Sequence, residues 1–186
     1  ESANSIVSIV SSNQNVVCNN QFQDIFGDAV GMSSSQFNLV SHNTFLRLKG
    51  KLRTWGAPYL FSCAVGIRTE TYGYNVVAFN DSEDLSHNVW LDRNGSRNII
   101  LRNLGKSGSN NVFNESRCTA NVVQENISVN MSTGYMSAYC DETGWTYDTR
   151  LVNNVSFNNT DGFVIRKSVE DEVRNNISYN NSSHNL

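Results

Sequence analysis

The side chains with chemical potential fall into a few groups. Asp81, Glu83 and Asp84 crowd four positions, and Lys106 lies 23 residues beyond Glu83. Asp92 and Glu115 are also 23 residues apart. If that spacing makes them neighbours in space, two carboxylates meet, which is unfavourable unless a cation or a proton lies between them. Hard oxygen ligands of this kind suit Ca²⁺, and a carboxylate pair also suits glycoside hydrolysis, with Asp81/Asp84 or Asp92/Glu115 as equal candidates. The alternative for both groups is that the carboxylates diverge into solvent. The stretch LRLKGKLRTW places Arg47, Lys49, Lys51 and Arg53 on alternate positions and ends on Trp55. As a strand it would show all four cations on one face. Cations beside an aromatic suit an anionic sugar polymer, by ion pairs to its carboxylates and by a ring under a pyranose. The same pattern also describes a solvated edge strand guarded against aggregation. YCDETGWTYDT, with Trp145, Tyr147 and three acids, reads either as the opposing wall of a groove or as a loop pinned by its own aromatics. No Ser/His/Asp arrangement or phosphate-cradling glycine loop appears, and His42, His87 and His184 are scattered.

The elements that position these groups are legible in a repeat. NVVCNN, NLVSHN, NVVAFN, NIILRN and NVVQEN recur along the chain, followed by the looser TRLVNN and DEVRNN. Their last asparagines are Asn20, Asn43, Asn80, Asn103, Asn126, Asn154 and Asn176, at steps of 23, 37, 23, 23, 28 and 22. A fixed period near 22 to 23 signals a solenoid. The repeated residues are β-branched and bounded by Asn, Ser and Gly, which reads as short strands. Further strand-like segments follow at constant offsets, such as Asn88–Leu91 and Asn111–Asn114. Strands this short are satisfied by pairing with the same strand one coil above and below, about 4.8 Å away. The recurring asparagine is expected at a bend, where Asn tolerates unusual backbone angles. Turned inward, its amide would bond to the next asparagine in a ladder. Ten Asn-x-Ser/Thr sequons occur, and those at Asn80, Asn126, Asn154 and Asn176 would then be shielded. Glycosylation of exposed sequons would imply export. The same register stacks Arg102 on Glu125 as an ion pair. It also stacks Cys118 on Cys140, provided that the extra residues of that coil follow Cys140; a disulfide is expected there.

Bulk properties agree with one domain of ordinary size. The chain has 186 residues, a net charge of −3, 17% charged residues and a single proline, Pro58. Nothing in that charge favours nucleic acid, and no apolar run approaches the ~20 residues that span a bilayer. The four cysteines show no zinc spacing. The termini, ESANSIV and NNSSHNL, read as the cut ends of something longer, and no capping helix is evident. Uncapped coil ends are expected to pair with another copy or a partner chain.

NVVQENISVN, NNVSFNNTDGF and NNISYNN resemble the parallel β-helix repeats of the pectate-lyase-like superfamily, and NNVSFNN and NNISYNN are most similar to those of family 9 polysaccharide lyases. The resemblance covers nearly the whole chain and is weakest over 46–72. It implies an all-β, right-handed parallel β-helix of about seven to eight coils, with insertions around 46–72 and 139–149. The handedness also follows the usual bias of parallel crossovers. It further implies a secreted or cell-surface protein that binds or cleaves an acidic polysaccharide, with Ca²⁺ neutralising the substrate carboxylate and a Lys or Arg as base. Lys106, Arg93 and Lys167 are the candidates for that base. Arg47, Lys49, Lys51, Arg53, Trp55 and Trp145 are the candidates for substrate binding, and Asp81, Glu83, Asp84, Asp92 and Glu115 for the metal. The acidic turn of family 9 is replaced here by His87-Asn88-Val89-Trp90, and its base lysine by Met136 or Val164. The other expectation is a structural or adhesive subunit of a filament, spike or array, without catalysis.

Overall fold

A computed structural model describes residues 5–52, 60–68, 73–115, 117–138 and 145–183, with the side chains of 51, 52, 60 and 61 excepted. All regular structure in these residues is β, and the strands stack in register as a parallel solenoid of about seven coils. One sheet has seven three-residue strands, Val16–Cys18, Leu39–Ser41, Val76–Ala78, Ile99–Leu101, Val122–Gln124, Arg150–Val152 and Glu172–Arg174. A second, longer sheet contains Asp81–Asp92, Leu104–Glu115 and Ile127–Ala138, each bent in its middle, with shorter strands in the outer coils. Val77, Ile100, Val123 and Leu151 of the first sheet face Val65, Val89, Val112 and Tyr135 of the second, and all are buried in one core.

The recurring asparagine holds the corner between the two sheets. Asn20, Asn43, Asn80, Asn103, Asn126, Asn154 and Asn176 form an unbroken column. The bonds at Asn103 are typical. Its Oδ1 accepts from the backbone N–H and the Nδ2–H of Asn80, at 3.1 and 2.9 Å. Its Nδ2 donates to Asn126 Oδ1 at 3.0 Å and to the Val77 carbonyl at 2.9 Å. The Asn103 amide is thus fully used, as a buried amide must be. Asn80, Asn126 and Asn154 are buried, while Asn176, in the last described coil, is half-buried.

The ladder asparagine does not itself take the unusual backbone angle. The residue before it does. Asn19, His42, Phe79, Arg102, Glu125, Asn153 and Asn175 all have φ between 52° and 58°. This left-handed residue makes the turn and points its side chain outward, and the amide ladder behind it offsets the strain. The side chain at that position is nearly unconstrained, so Phe, Arg and Glu occupy it.

A second ladder, not marked by the repeat count, uses the first asparagine of the same hexapeptides. Asn15, Asn38, Asn75, Asn98 and Asn121 are bonded coil to coil, and Thr149 and Asp171 continue the column. Again the preceding residue is left-handed, as at Phe37, Tyr74 and Arg97. The sequons follow from these columns. At Asn80, Asn126, Asn154 and Asn176 the residue two further on is a serine on the core-facing side of the next strand, Ser82, Ser128, Ser156 and Ser178. Three of these serines are buried, and Ser178, in the outermost coil, is half-buried.

Replacing Asn103 by Ala strands the Asn80 donors and the Val77 carbonyl in the core and is expected to cost about 3 kcal/mol. Urea unfolding measures it. Arg102→Ala, one residue away on the surface, should leave the midpoint nearly unchanged.

Candidate functional site

The register locates the insertions. Phe26 pairs with Lys49, whereas Asp28 and Cys63 share a column, so two residues in one coil become fourteen in the next and twelve extra residues leave between Gly50 and Ser62. Ser33 pairs with Arg68, and Phe37 stacks on Tyr74, so four residues become six. Glu115 pairs with Ala138, and Thr119 with Tyr147, so four become nine. The first insertion is therefore rooted where the second half of the long strand begins. The other two are rooted where it ends. All three are rooted at the ends of strands that share one surface, the outer face of Asp28–Ser33, Cys63–Arg68 and the second halves of the three long strands.

Among the described residues, that face carries a hydrophobic cluster separate from the core together with several charged side chains. Between the core residues Val89 and Leu91, Trp90 points outward and packs with Cys63, Phe113 and Ala138 in a cluster separate from the core. Its indole N–H donates to Glu115 Oε2 at 2.6 Å. The Arg68 guanidinium lies 4.6 Å from the Trp90 ring centre and pairs with the buried carboxylate of Asp28. Asp28 also accepts from the Cys63 backbone N–H at 3.0 Å. His87 is tilted against Trp90 and Phe113, and its Nδ1 meets the Asn110 amide at 3.0 Å. Arg68 is the register partner of Asp92, and Leu91 that of Asn114, so Asp92 and Glu115 are vertical neighbours one coil apart. A buried Arg–carboxylate pair costs desolvation that its own attraction seldom exceeds. Its presence here fixes Arg68 over the indole.

The far corner of this face is basic. Arg93, Arg117, Arg166 and Lys167 are exposed there. The backbone bond from Thr146 to Lys167, with the Thr119–Tyr147 bridge, sets Arg117, Trp145 and Lys167 in one column. Trp145 is 49% exposed. The structure thus places Trp145 and Arg117 in the column of Lys167, at the corner that also holds Arg93 and Arg166.

Other expected groupings do not form. Lys106 is the register partner of Glu83, yet its Nζ pairs with Asp81 at 3.2 Å, on the first half of the long strand and away from the face just described. It therefore does not converge with Arg93 and Lys167. Asp84 turns the next corner with φ 60°. Among the described residues no group of three or more His, Cys, Asp or Glu side chains is placed to hold a metal. Arg47, Lys49 and Lys51 do not share a strand. The strand ends at Leu46, Arg47 is left-handed, and Lys51–Leu52 pairs antiparallel with Leu60–Phe61. Arg47 is bound by Asp24 through two hydrogen bonds of 2.9 Å, and the Lys49 ammonium lies 5.7 Å from the Phe26 ring centre. Arg53 and Trp55 lie outside the described residues. Arg102 pairs with Glu125 as the register requires.

Cys118 is a fully buried free thiol. The Thr119–Tyr147 bridge places Thr146 at the position one coil beyond it, because the extra residues precede Thr146. Cys140, its expected partner, lies outside the described residues. Burial, then the nearby carboxylates of Asp92 and Glu115, push the Cys118 thiol far up. No protein-family model matches the chain, and no curated protein matches it significantly in sequence.

Two pH effects follow. The Arg47 guanidinium, with help from Gln23, holds the Asp24 carboxyl well below the usual range. The stability this adds is present above the unfolded value, near pH 3.9, and is lost as pH falls through the lower folded value. Carboxyl NMR should show Asp24 titrating below the other exposed aspartates, and Arg47→Ala should return it to the ordinary range. For Cys118 the sign reverses. Its contribution is complete below the unfolded thiol value, near pH 8.5, and declines above it. Alkylation in native protein should label exposed Cys18 and spare Cys118 until the fold opens.

Proposed function

We propose that this chain is a pectate-lyase-like β-helix protein that binds an acidic polysaccharide across the outer face of the long sheet and hydrolyses it there. The observation that carries the reading is the placing of Asp92 and Glu115 as vertical neighbours on the face whose strand ends root the insertions. Backbones one coil apart, about 4.8 Å, make Asp92 and Glu115 a pair of neighbouring carboxylates, the equipment glycoside hydrolysis uses.

The roles follow from the surroundings. Glu115 accepts from the Trp90 indole, which favours its ionised form and suits the nucleophile. Asp92, 8% exposed, suits the acid. Asp92 would give its proton to the leaving glycosidic oxygen as Glu115 bonds to the anomeric carbon. Water would then release the sugar from Glu115 while Asp92 takes the proton of that water. Arg93, Arg117, Arg166 and Lys167 supply charge for substrate carboxylates along the adjoining corner, and Trp145 supplies a ring. Export to the cell exterior accords with such a substrate.

A second reading is a non-catalytic structural or adhesive subunit that assembles through its coil ends. Its support is the burial of the face: Trp90, His87 and Asp92 are all under 9% exposed.

Incubation with polygalacturonate, alginate and glycosaminoglycans separates these readings. Hydrolysis predicts new reducing ends without an ultraviolet-absorbing product, and Glu115→Gln should lower the rate at least ~100-fold with the fold intact. Unsaturated product that needs calcium and disappears with chelator would instead assign a lyase. No cleavage by folded protein, together with filaments by electron microscopy, would favour the structural subunit.

A further inference from the structure

A groove runs along the other edge of the long sheet, at the bend between the two halves of each long strand. Its upper part, about 560 Å³, is lined by Gly108, Asn130, Ser132, Asn158, Thr160 and Asn180 among others, with no charged side chain. Its lower part, about 490 Å³, shares Gly108 and carries Phe26, Arg47, Lys49 and Asp84. Gly108 is the floor common to both. A Cβ there would collide with the Leu85 carbonyl, so only glycine lets the two coils approach at this point.

Two columns line the upper part. Asn130, Asn158 and Asn180 occupy the left-handed position of three successive coils, with φ of 55°, 54° and 53°. Asn180 Nδ2 donates to Asn158 Oδ1. Ser132, Thr160 and Ser182 stand two residues further on, in register through the backbone bonds Thr160 to Met131, Ser182 to Asn159 and Ser183 to Thr160. The backbone does not require asparagine here. The equivalent left-handed positions at other corners hold Phe37, Tyr74, Arg97 and Glu125. What three asparagines followed by three hydroxyls provide is a row of uncharged donors and acceptors repeating at the coil spacing of about 4.8 Å. A carboxamide offers one donor edge and one acceptor edge, which matches adjacent hydroxyls on a sugar ring.

We infer that this groove binds a neutral oligosaccharide strand lying parallel to the solenoid axis, at a site separate from the long-sheet face. Asn130, Asn158 and Asn180 bond its hydroxyl pairs, and Ser132, Thr160 and Ser182 bond from the other side. The same pattern accounts for three sequons, at Asn130, Asn158 and Asn180, without glycosylation.

Titration of the ¹⁵N-labelled protein with cello-, xylo-, manno- and maltohexaose, and with an oligogalacturonate of like length, tests this. At least one neutral hexasaccharide should shift the side-chain amides of Asn130, Asn158 and Asn180. Thr160→Lys, which puts a long cation in the groove, should weaken that binding about tenfold or more, while Glu115→Gln should leave it unchanged. The inference is overturned if no neutral hexasaccharide shifts these amides at about 10 mM, the weak end of specific binding. It is also overturned if only the oligogalacturonate does so, or if Thr160→Lys binds as well as the parent. None of these outcomes depends on cleavage at the long-sheet face.

Discussion

Asn103 accepts two hydrogen bonds from the coil below and donates two onward, one to the coil above and one to a carbonyl below. Repeated at every coil, that arrangement is the constraint on which the rest of the molecule depends. Short parallel strands of three residues have little pairing strength of their own. Two columns of hydrogen-bonded side chains, most of them buried asparagine amides, fix the corners at both ends of the seven-stranded sheet, so strand register is set twice per turn. A slip of one residue would leave a carboxamide in the core without partners, at about 1–3 kcal/mol for each group. The chain can then change residues freely on the outside, and it can lengthen a coil by fourteen or five residues without disturbing the stack.

That freedom explains what the sequence revealed and what it concealed. The ladder from Asn20 to Asn176 was legible because nothing but a carboxamide fills its role. The ladder from Asn15 to Asn121 is carried by the first letter of the same hexapeptides. At its far end Thr149 and Asp171 replace asparagine, which blurs the period. The left-handed corner residues were not legible at all. Phe79, Arg102 and Glu125 share no chemistry, since the backbone strain is met by the ladder behind them and not by their own side chains.

The candidate site was legible only in fragments. The pairing of Asp92 with Glu115 followed from the count of 23, because no insertion separates them. Asp28 and Arg68 are 40 residues apart across an insertion, so no constant period joins them, and the ion pair that fixes Arg68 over Trp90 could not be read. Arg47 to Arg53 looked like one strand because alternation was the only signal there. The left-handed turn at Arg47 and the antiparallel hairpin beyond Gly50 leave no mark in composition. The side chains that could act chemically share one property: they lie on faces where the repeat does not dictate the residue.

The account stands or falls on the ladder geometry, and through-hydrogen-bond NMR couplings report it directly. A long-range correlation experiment tuned to carboxamide carbons should connect the backbone nitrogen of Asn80 to Cγ of Asn103, and that of Asn103 to Cγ of Asn126. The sheet should show the ordinary couplings between backbone nitrogen and carbonyl carbon one coil apart. Sheet couplings without any connection from asparagine nitrogen to asparagine Cγ, or connections to other residues, would contradict the central claim.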